Sequence, residues 1–527
     1  MKHRLNMPVV VLATLAVLSL VGCEQRTATV AASPAHADAP RIEWFNGDVD
    51  AAFAAAAQQH KPVLLYWGAV WCPPCQQLKA TVFNRADFVA KTRLFIPVYL
   101  DGDEPGAQKW GEQFRVMGYP TMLVLNPQRV ETMRIAGGMD LSQYATILDL
   151  SLSELLPVEQ VLNAASNRAL SGNECQRLAL NAWILDDTTA LQDTRLSGQL
   201  LRAAARCPVT SVPERERLTI VAALYASDNE AKALTAGNAP SVALTQQVVA
   251  VSQMLSGGRL AASNNDVLSY LGEPFFRAVK AQGTARAAQF NALFAAVMEK
   301  AANNPQFAAA DQLSAVGSRL QAEKVIVGTI SPTLARYSRA RLDAALAAPG
   351  IPYVRSGLIN AALPIFELLN ANAEAYQLLQ GELSKTLTPY YYQADLADLA
   401  EELGRKDEAV LWAQKAYDGA QGAATRFQWG NMYLGSLLRL QPKETARIQA
   451  AGLAVLGELD GSDRIYQRAR TRLERLDGLL RKWQRADKTA RKPVLLALRA
   501  RMNQTCATIP ASEPAHQSCD KFLKTGL

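Results

Sequence analysis

Two cysteines separated by two prolines, in the run Trp71-Cys72-Pro73-Pro74-Cys75, are the residues of this chain with the clearest chemistry. At the start of a helix the two sulfurs lie within bonding distance, so the pair can cycle between dithiol and disulfide. Helix-end amides favour negative charge on the first sulfur, and the thiolate is the form that attacks a disulfide. Two other uses of such a pair fit less well. Half of a zinc site needs a second CxxC or a His pair to complete four ligands. The four histidines (His3, His36, His60 and His516) are too scattered to supply one, or to build a catalytic triad. A purely structural CxxC bridge closes too small a loop to stabilise much. Neither a metal nor a cofactor is expected.

The elements that must hold the pair can be read around it. Lys61-Pro-Val-Leu-Leu-Tyr-Trp67 is a short apolar run opened by proline, which predicts a buried strand. Gly68 follows, then the cysteines, then a helix in which Leu78 and Val82 share a face. Leu94–Leu100 predicts a second strand, closed by Asp101-Gly102-Asp103, and Glu104–Phe114 a polar helix. Met122–Leu125 and Thr132–Ile135 predict a hairpin around Asn126-Pro127, and Asp140–Leu148 a closing helix. Upstream, Ile42–Phe45 and Asp48–Gln59 add one strand and one helix.

This order resembles the thioredoxin superfamily over residues 41–150, and is most similar to its periplasmic domains that begin with a Lys-Pro-Val-Leu-Leu strand. The resemblance rests on Trp71-Cys-x-x-Cys75 after that strand, on Tyr119-Pro120-Thr121 at the family's cis-proline position, and on Gly137-Gly138 before the last helix. It implies that Cys72 is the attacking thiolate and Cys75 the resolving thiol. It also implies that Trp71, Tyr119, Pro120 and Thr121 contact substrate, with Pro120 facing the disulfide and the Tyr119 backbone pairing with an extended chain. An X–Pro bond is the peptide bond for which cis is cheap. Two positions depart from the family. Tyr66 stands six residues before Cys72, where many thioredoxins bury an aspartate that deprotonates the resolving thiol, so a proton acceptor must come from water or a carboxylate such as Asp101 or Glu104. Pro73 offers no N–H to the Cys72 sulfur, although proline suits the first helical turn. The reduction potential is therefore left open between reducing and oxidising values.

Lys2, His3 and Arg4 precede an apolar run from Pro8 to Val21, too short to span a membrane and the right length for a signal-peptide core. The run ends in Leu20-Val21-Gly22-Cys23, which resembles the lipobox of bacterial lipoproteins and implies lipidation of Cys23. A rival cleavage site, Ala35-His36-Ala37, lies far beyond the apolar core and would give a soluble periplasmic or secreted protein. Exported cysteines tend to pair. Of seven cysteines, Cys23 and the redox pair leave four. Predicted helices at 173–185 and 189–206, joined at Asp186-Asp187, bring Cys175 beside Cys207, while Cys506 and Cys519 flank a tail containing Pro510 and Pro514.

A chain of 527 residues needs a second architecture beyond residue 157. That part is rich in Ala and Leu, with helical spacing such as Leu244, Val248, Val251 and Leu255, and with start and stop signals at Pro157, Pro213, Ser331-Pro332 and Pro349-Gly350. Asp395–Ala409 and Lys415-Ala416 resemble the inner half of a tetratricopeptide repeat, with Gly404, Ala409 and Ala416 as the small residues that let paired helices approach. An irregular helical bundle is the alternative. Net charge is +7. Much of the excess lies in Arg464–Lys492, where interleaved Glu474, Asp477 and Asp487 point to a solvated helix face more than to acidic lipid or an acidic partner. Nothing supports nucleic-acid binding.

The expected organisation is a signal peptide (1–22), a flexible tether (23–40), an α/β thioredoxin fold with a central mixed sheet flanked by helices (41–156), an all-α helical array (157–505) and a disulfide-stapled tail (506–527). The expected activity is membrane-tethered thiol–disulfide exchange with protein thiols or disulfides, recycled by an upstream redox partner. A non-catalytic periplasmic scaffold, in which the array is the working part, is the alternative.

Overall fold

The computed structural model describes residues 41–527 apart from 105, 117, 137–142, 154–155, 184–193, 258–259, 349, 351, 462–463 and 525–527. The expected signal peptide, the tether, Cys23, Gly137-Gly138, Asp186-Asp187 and Pro349 lie outside the described residues. Four strands, β1 (Val63–Gly68), β2 (Ile96–Asp101), β3 (Thr121–Leu125) and β4 (Glu131–Ala136), form one mixed sheet in the order β2-β1-β3-β4. β1 runs parallel to β2 and antiparallel to β3, and β3 and β4 form a hairpin. Every residue of β1 is buried, as expected for a strand covered on both faces. Alternation divides the side chains. Leu64, Tyr66, Met122 and Val124 pack with Leu78, Phe88 and Leu148, whereas Val63, Leu65, Trp67 and Leu123 pack with Phe53 and Trp110.

The helices of this α/β layer are α1 (Val49–Gln59), α2 (Pro73–Thr81), α3 (Ala86–Thr92), α4 (Ala107–Gln113) and α5 (Gln143–Ser153). Asp48 caps α1 by accepting the Ala51 N–H at 2.7 Å. The strand expected at Ile42–Phe45 does not form. The segment lies against β2 through one bond, from Phe45 N to the Pro97 carbonyl at 2.7 Å. Pro97 has no N–H to return, which stops a ladder from growing on that edge. α3 went unpredicted: it is short, and Arg85 at its N-cap makes no side-chain capping bond.

Beyond α5 the described chain is helical, so an α/β domain with a mixed four-stranded sheet is followed by a large all-helical region. The array first fastens to the free edge of β4. Arg134 N donates to Asn181 Oδ1 and Ala182 N donates to the Arg134 carbonyl, each at 2.9 Å. The buried Arg177 guanidinium donates to the Thr132 carbonyl at 2.9 Å and to the Leu156 carbonyl. These bonds cover an edge that would otherwise present unpaired backbone. Successive helices then pack in pairs, such as Thr194–Arg206 on Val212–Asn229 and Thr284–Ala302 on Ala309–Val327. Leu244, Val248, Val251 and Leu255 are buried on one face of Val242–Ser256, and Ser331 caps Pro332–Ala347 by accepting the Leu334 N–H.

Two expectations within the array need correcting. The helix expected over 173–185 ends at Leu180, where Asn181 turns out to meet β4. Pro213 is the start signal expected of it: it sits in the first turn of Val212–Asn229, where its missing N–H costs nothing. Pro389–Glu402 and Lys406–Gly419 do form a tight pair with Ala409 and Ala416 buried between helices, but Gly404 serves the turn. It adopts φ 75° with no heavy atom near a Cβ position, while Arg405 N closes back on the Ala400 carbonyl.

Candidate functional site

The cysteine pair sits where β1 hands over to α2. Cys72 is the N-cap of α2 in extended conformation, and its sulfur accepts the Cys75 N–H at 3.3 Å. Pro73 and Pro74 remove the two amides that a first helical turn usually adds, so the Cys75 N–H is the first donor of the helix available to the Cys72 sulfur. The two sulfurs are joined as a disulfide with Cα atoms 5.2 Å apart. The pair is fixed from outside the turn as well, because Gln76 Nε2 donates to the Val70 carbonyl at 2.7 Å.

β3 begins at the same end of the sheet. Thr121 is paired with Trp67, and the Tyr119–Pro120 peptide just before it is cis. The Tyr119 ring lies 5.6 Å from that of Trp71 and 5.9 Å from that of Trp67. Pro120 and Thr121 are buried, and the Thr121 hydroxyl donates to the Gly118 carbonyl. Cys72, Cys75, Trp71, Tyr119, Pro120 and Thr121 are therefore gathered at one end of the sheet.

Tyr66, at the position of the missing aspartate, is fully buried, and its hydroxyl has no hydrogen-bond partner among the described residues. Burial, followed by the neighbouring Tyr99, Tyr144 and Asp101, holds its phenol far above the usual range, so it cannot serve as a base near neutral pH. Polar groups return one strand away. Lys79 Nζ donates to the Tyr99 hydroxyl at 3.2 Å, and Tyr99 donates to Asp101 at 2.9 Å. Lys79 is one turn beyond Cys75 on α2 and thus on the same helix face. Its burial lowers the ammonium pKa, with Asp101 opposing that shift. Asp101 is thereby committed to the Lys79–Tyr99 chain. The other expected carboxylate, Glu104, lines a cleft between Trp71 and the array.

The array closes over this site, which the sequence did not announce. Cys72 is 3% exposed, Cys75 0% and Trp71 6%. Ala69, Trp71, Cys72 and Cys75 share their apolar cluster with Tyr390, Ala394, Phe427 and Trp429 of the array. The Trp71 ring stacks on Tyr391 at 5.9 Å and meets Trp429 edge-on at 6.1 Å. Thr388 Oγ1 approaches the Trp71 carbonyl at 3.5 Å.

Two carboxylates of the α/β layer bind the array. Asp103 accepts from Trp71 Nε1 at 3.0 Å, from Thr425 N at 2.9 Å and from Thr425 Oγ1 at 2.7 Å. Burial raises its pKa, although the bonds from Thr425 and Trp71 pull the other way. Glu112 accepts from both terminal nitrogens of Arg470 and from Gln467 N, each at 2.9 Å. Arg468 lies over the Tyr119 ring at 4.5 Å. The Arg464–Lys492 stretch is therefore not simply a solvated face: part of it docks on the α/β domain, and Arg481 pairs with Asp477 within its own helix. Among the described residues no cluster of His, Cys, Asp and Glu could hold a metal ion.

The remaining cysteines are paired away from the motif. Cys175 is joined to Cys207 across 32 residues, and Cys506 to Cys519 across 13. No curated protein matches this chain. Residues 43–127, from the extended segment before α1 through the end of β3, match the family model described as thioredoxin-like, so Cys72 and Cys75 belong to a thioredoxin-like domain and are compatible with thiol–disulfide exchange.

Proposed function

We propose that this protein is a periplasmic thiol–disulfide oxidoreductase, tethered to a membrane by lipid at Cys23, that exchanges electrons with protein thiols or disulfides through Cys72 and Cys75. The observation that carries the reading is the placement of Cys72: its sulfur caps α2, receives the Cys75 N–H and is bonded to the Cys75 sulfur. In the oxidising direction a substrate thiolate attacks Cys72 Sγ, the Cys72–Cys75 bond breaks, and Cys75 leaves as a thiolate that takes a proton. A second substrate thiolate then attacks the substrate sulfur of the mixed disulfide and releases Cys72. The substrate gains a disulfide and the pair gains two electrons and two protons. In the reducing direction Cys72 attacks a substrate disulfide and Cys75 resolves the adduct.

The basic start, the Pro8–Val21 run and Leu20-Val21-Gly22-Cys23 support export and lipidation. Two further disulfides, Cys175–Cys207 and Cys506–Cys519, suit an oxidising compartment. The test is turnover of a peptide substrate with two cysteines, or with their disulfide, in matched redox buffers. The full chain should turn it over in one direction, and Cys72→Ser should abolish turnover. Equal rates for the two proteins would remove the enzymatic reading and leave the array as a scaffold.

A further inference from the structure

Resting on that reading, the closed arrangement raises a question of access. Thiol exchange needs the incoming sulfur to reach Cys72 Sγ, yet Cys72 is 3% exposed and its neighbours Trp71 and Tyr119 are occupied by the array. The surface on which an extended substrate would lie is already filled by Thr388, Tyr391, Trp429 and Arg468.

The attachments of the array differ in kind. At β4 it is held by backbone pairing and a fully buried arginine, whose release would leave buried polar groups unpaired. Over the redox pair it is held by side chains: the Asp103–Thr425 bonds, the Glu112–Arg470 fork, and aromatic contacts with Trp71. Both carboxylates and Arg470 keep some contact with solvent, so water can replace their partners when the surfaces part. Burial raises the pKa of Asp103, so holding its carboxylate under the array costs free energy. Opening must also part the apolar cluster that Trp71, Cys72 and Cys75 share with Tyr390, Phe427 and Trp429, so the closed state is the populated one and the polar pairs tune how often it opens.

We propose that Thr388 and the array helices Pro389–Glu402, Ala423–Leu440 and Gln467–Arg485 form a gate over the redox pair, held shut by Asp103–Thr425 and Glu112–Arg470, and that a protein substrate must displace this gate whereas a small thiol reagent needs far less movement. The gate sets which thiols react: size is the selected property, and the β4 attachment keeps the array in place while the gate opens. The rate for a large reagent is then the intrinsic rate multiplied by the open fraction, so weakening the latch raises it in proportion.

The test uses the full chain after reduction by a phosphine. Alkylation of Cys72 is followed with iodoacetamide and with a maleimide carried on a long polymer, reading the Cys72 peptide by mass spectrometry. Arg470→Glu sets a like charge against Glu112. It should raise the polymer rate by about tenfold while the iodoacetamide rate changes less than about twofold, because like charges in contact oppose closure. The swap Glu112→Arg with Arg470→Glu should return the ratio of the two rates to the wild-type value. A ratio that is the same in all three proteins, whether both rates stay low or rise together, overturns the gate. Failure of the oxidoreductase reading is separate: the alkylation ratio would shift as described, yet reduced thioredoxin would exchange with the pair in none of the three.

Discussion

Gly422 offers a direct way to strain the contact between the thioredoxin-like domain and the array. It lies just before the helix Ala423–Leu440 at φ 77°, and a Cβ there would fall 2.3 Å from Asp103 Cβ and 2.7 Å from Asp103 Oδ1. Gly422→Ala puts an L-residue at φ 77° and ψ 140°, a region essentially confined to glycine, a strain of about 1–3 kcal/mol that stays in the array whether or not it is docked. It also pushes Asp103 away from Thr425, losing two bonds of about 1 kcal/mol each, so docking is weakened by about 2 kcal/mol. At 1.4 kcal/mol per tenfold, the array should come off the pair about thirtyfold more often. Gly237→Ala supplies the control, because Gly237 has φ 84° and nothing within 4 Å of a Cβ, leaving the backbone cost alone. Alkylation of Cys72 by a polymer-borne maleimide measures the open fraction in each protein. Gly422→Ala should react about thirtyfold faster than wild type, and Gly237→Ala within about twofold. Equal reactivity of Gly422→Ala and Gly237→Ala would refute the view that Asp103 anchors the array.

Two further predictions concern stability. Replacing Cys175 and Cys207 by serine should cost about 3–4 kcal/mol by the loop-entropy estimate for a closure of 32 residues, seen as a lower denaturation midpoint, with thiol exchange at Cys72 retained. Asp395 is partly buried one turn beyond Tyr391, and burial, reinforced by Asp398, pushes its carboxyl up to about 7. The folded chain therefore binds a proton there more tightly than the unfolded one. That contribution is fully present below about pH 4 and is lost as pH rises towards 7. Asp395→Asn should flatten that slope and stabilise the protein at pH 8 by about 2–4 kcal/mol in urea titrations compared at pH 4.5 and pH 8. An unchanged slope would mean the carboxyl ionises freely.

The Cys-Pro-Pro-Cys motif was legible because its signals are local. Proline, a β-rich run, two cysteines and a helix follow within twenty residues, and Tyr119-Pro120-Thr121 has a fixed place one strand away. The pairs Cys175–Cys207 and Cys506–Cys519 were also within reach, since each joins neighbouring helices. The closure of the site was not. Asp103 and Thr425 are 322 residues apart and Glu112 and Arg470 are 358 apart, so no periodicity links them. Arg470 looks like any other arginine in a basic helix until its partner is known. Trp429 and Tyr391 look like ordinary core aromatics on their own helices, and only packing brings them onto Trp71. Ile42–Phe45 had the composition of a strand, but it meets the edge of β2 at Pro97, whose missing N–H local pattern cannot weigh.

The most direct test of thiol exchange is capture of its intermediate. In a Cys75→Ser protein the resolving sulfur is gone, so a substrate joined to Cys72 should stay attached. Incubated with a disulfide-bonded protein and run without reductant, this variant should give a higher-mass band that collapses on reduction, absent from Cys72→Ser/Cys75→Ser. No reducible adduct, with Cys72 shown by alkylation to be free, would contradict the assignment of Cys72 as the attacking thiol.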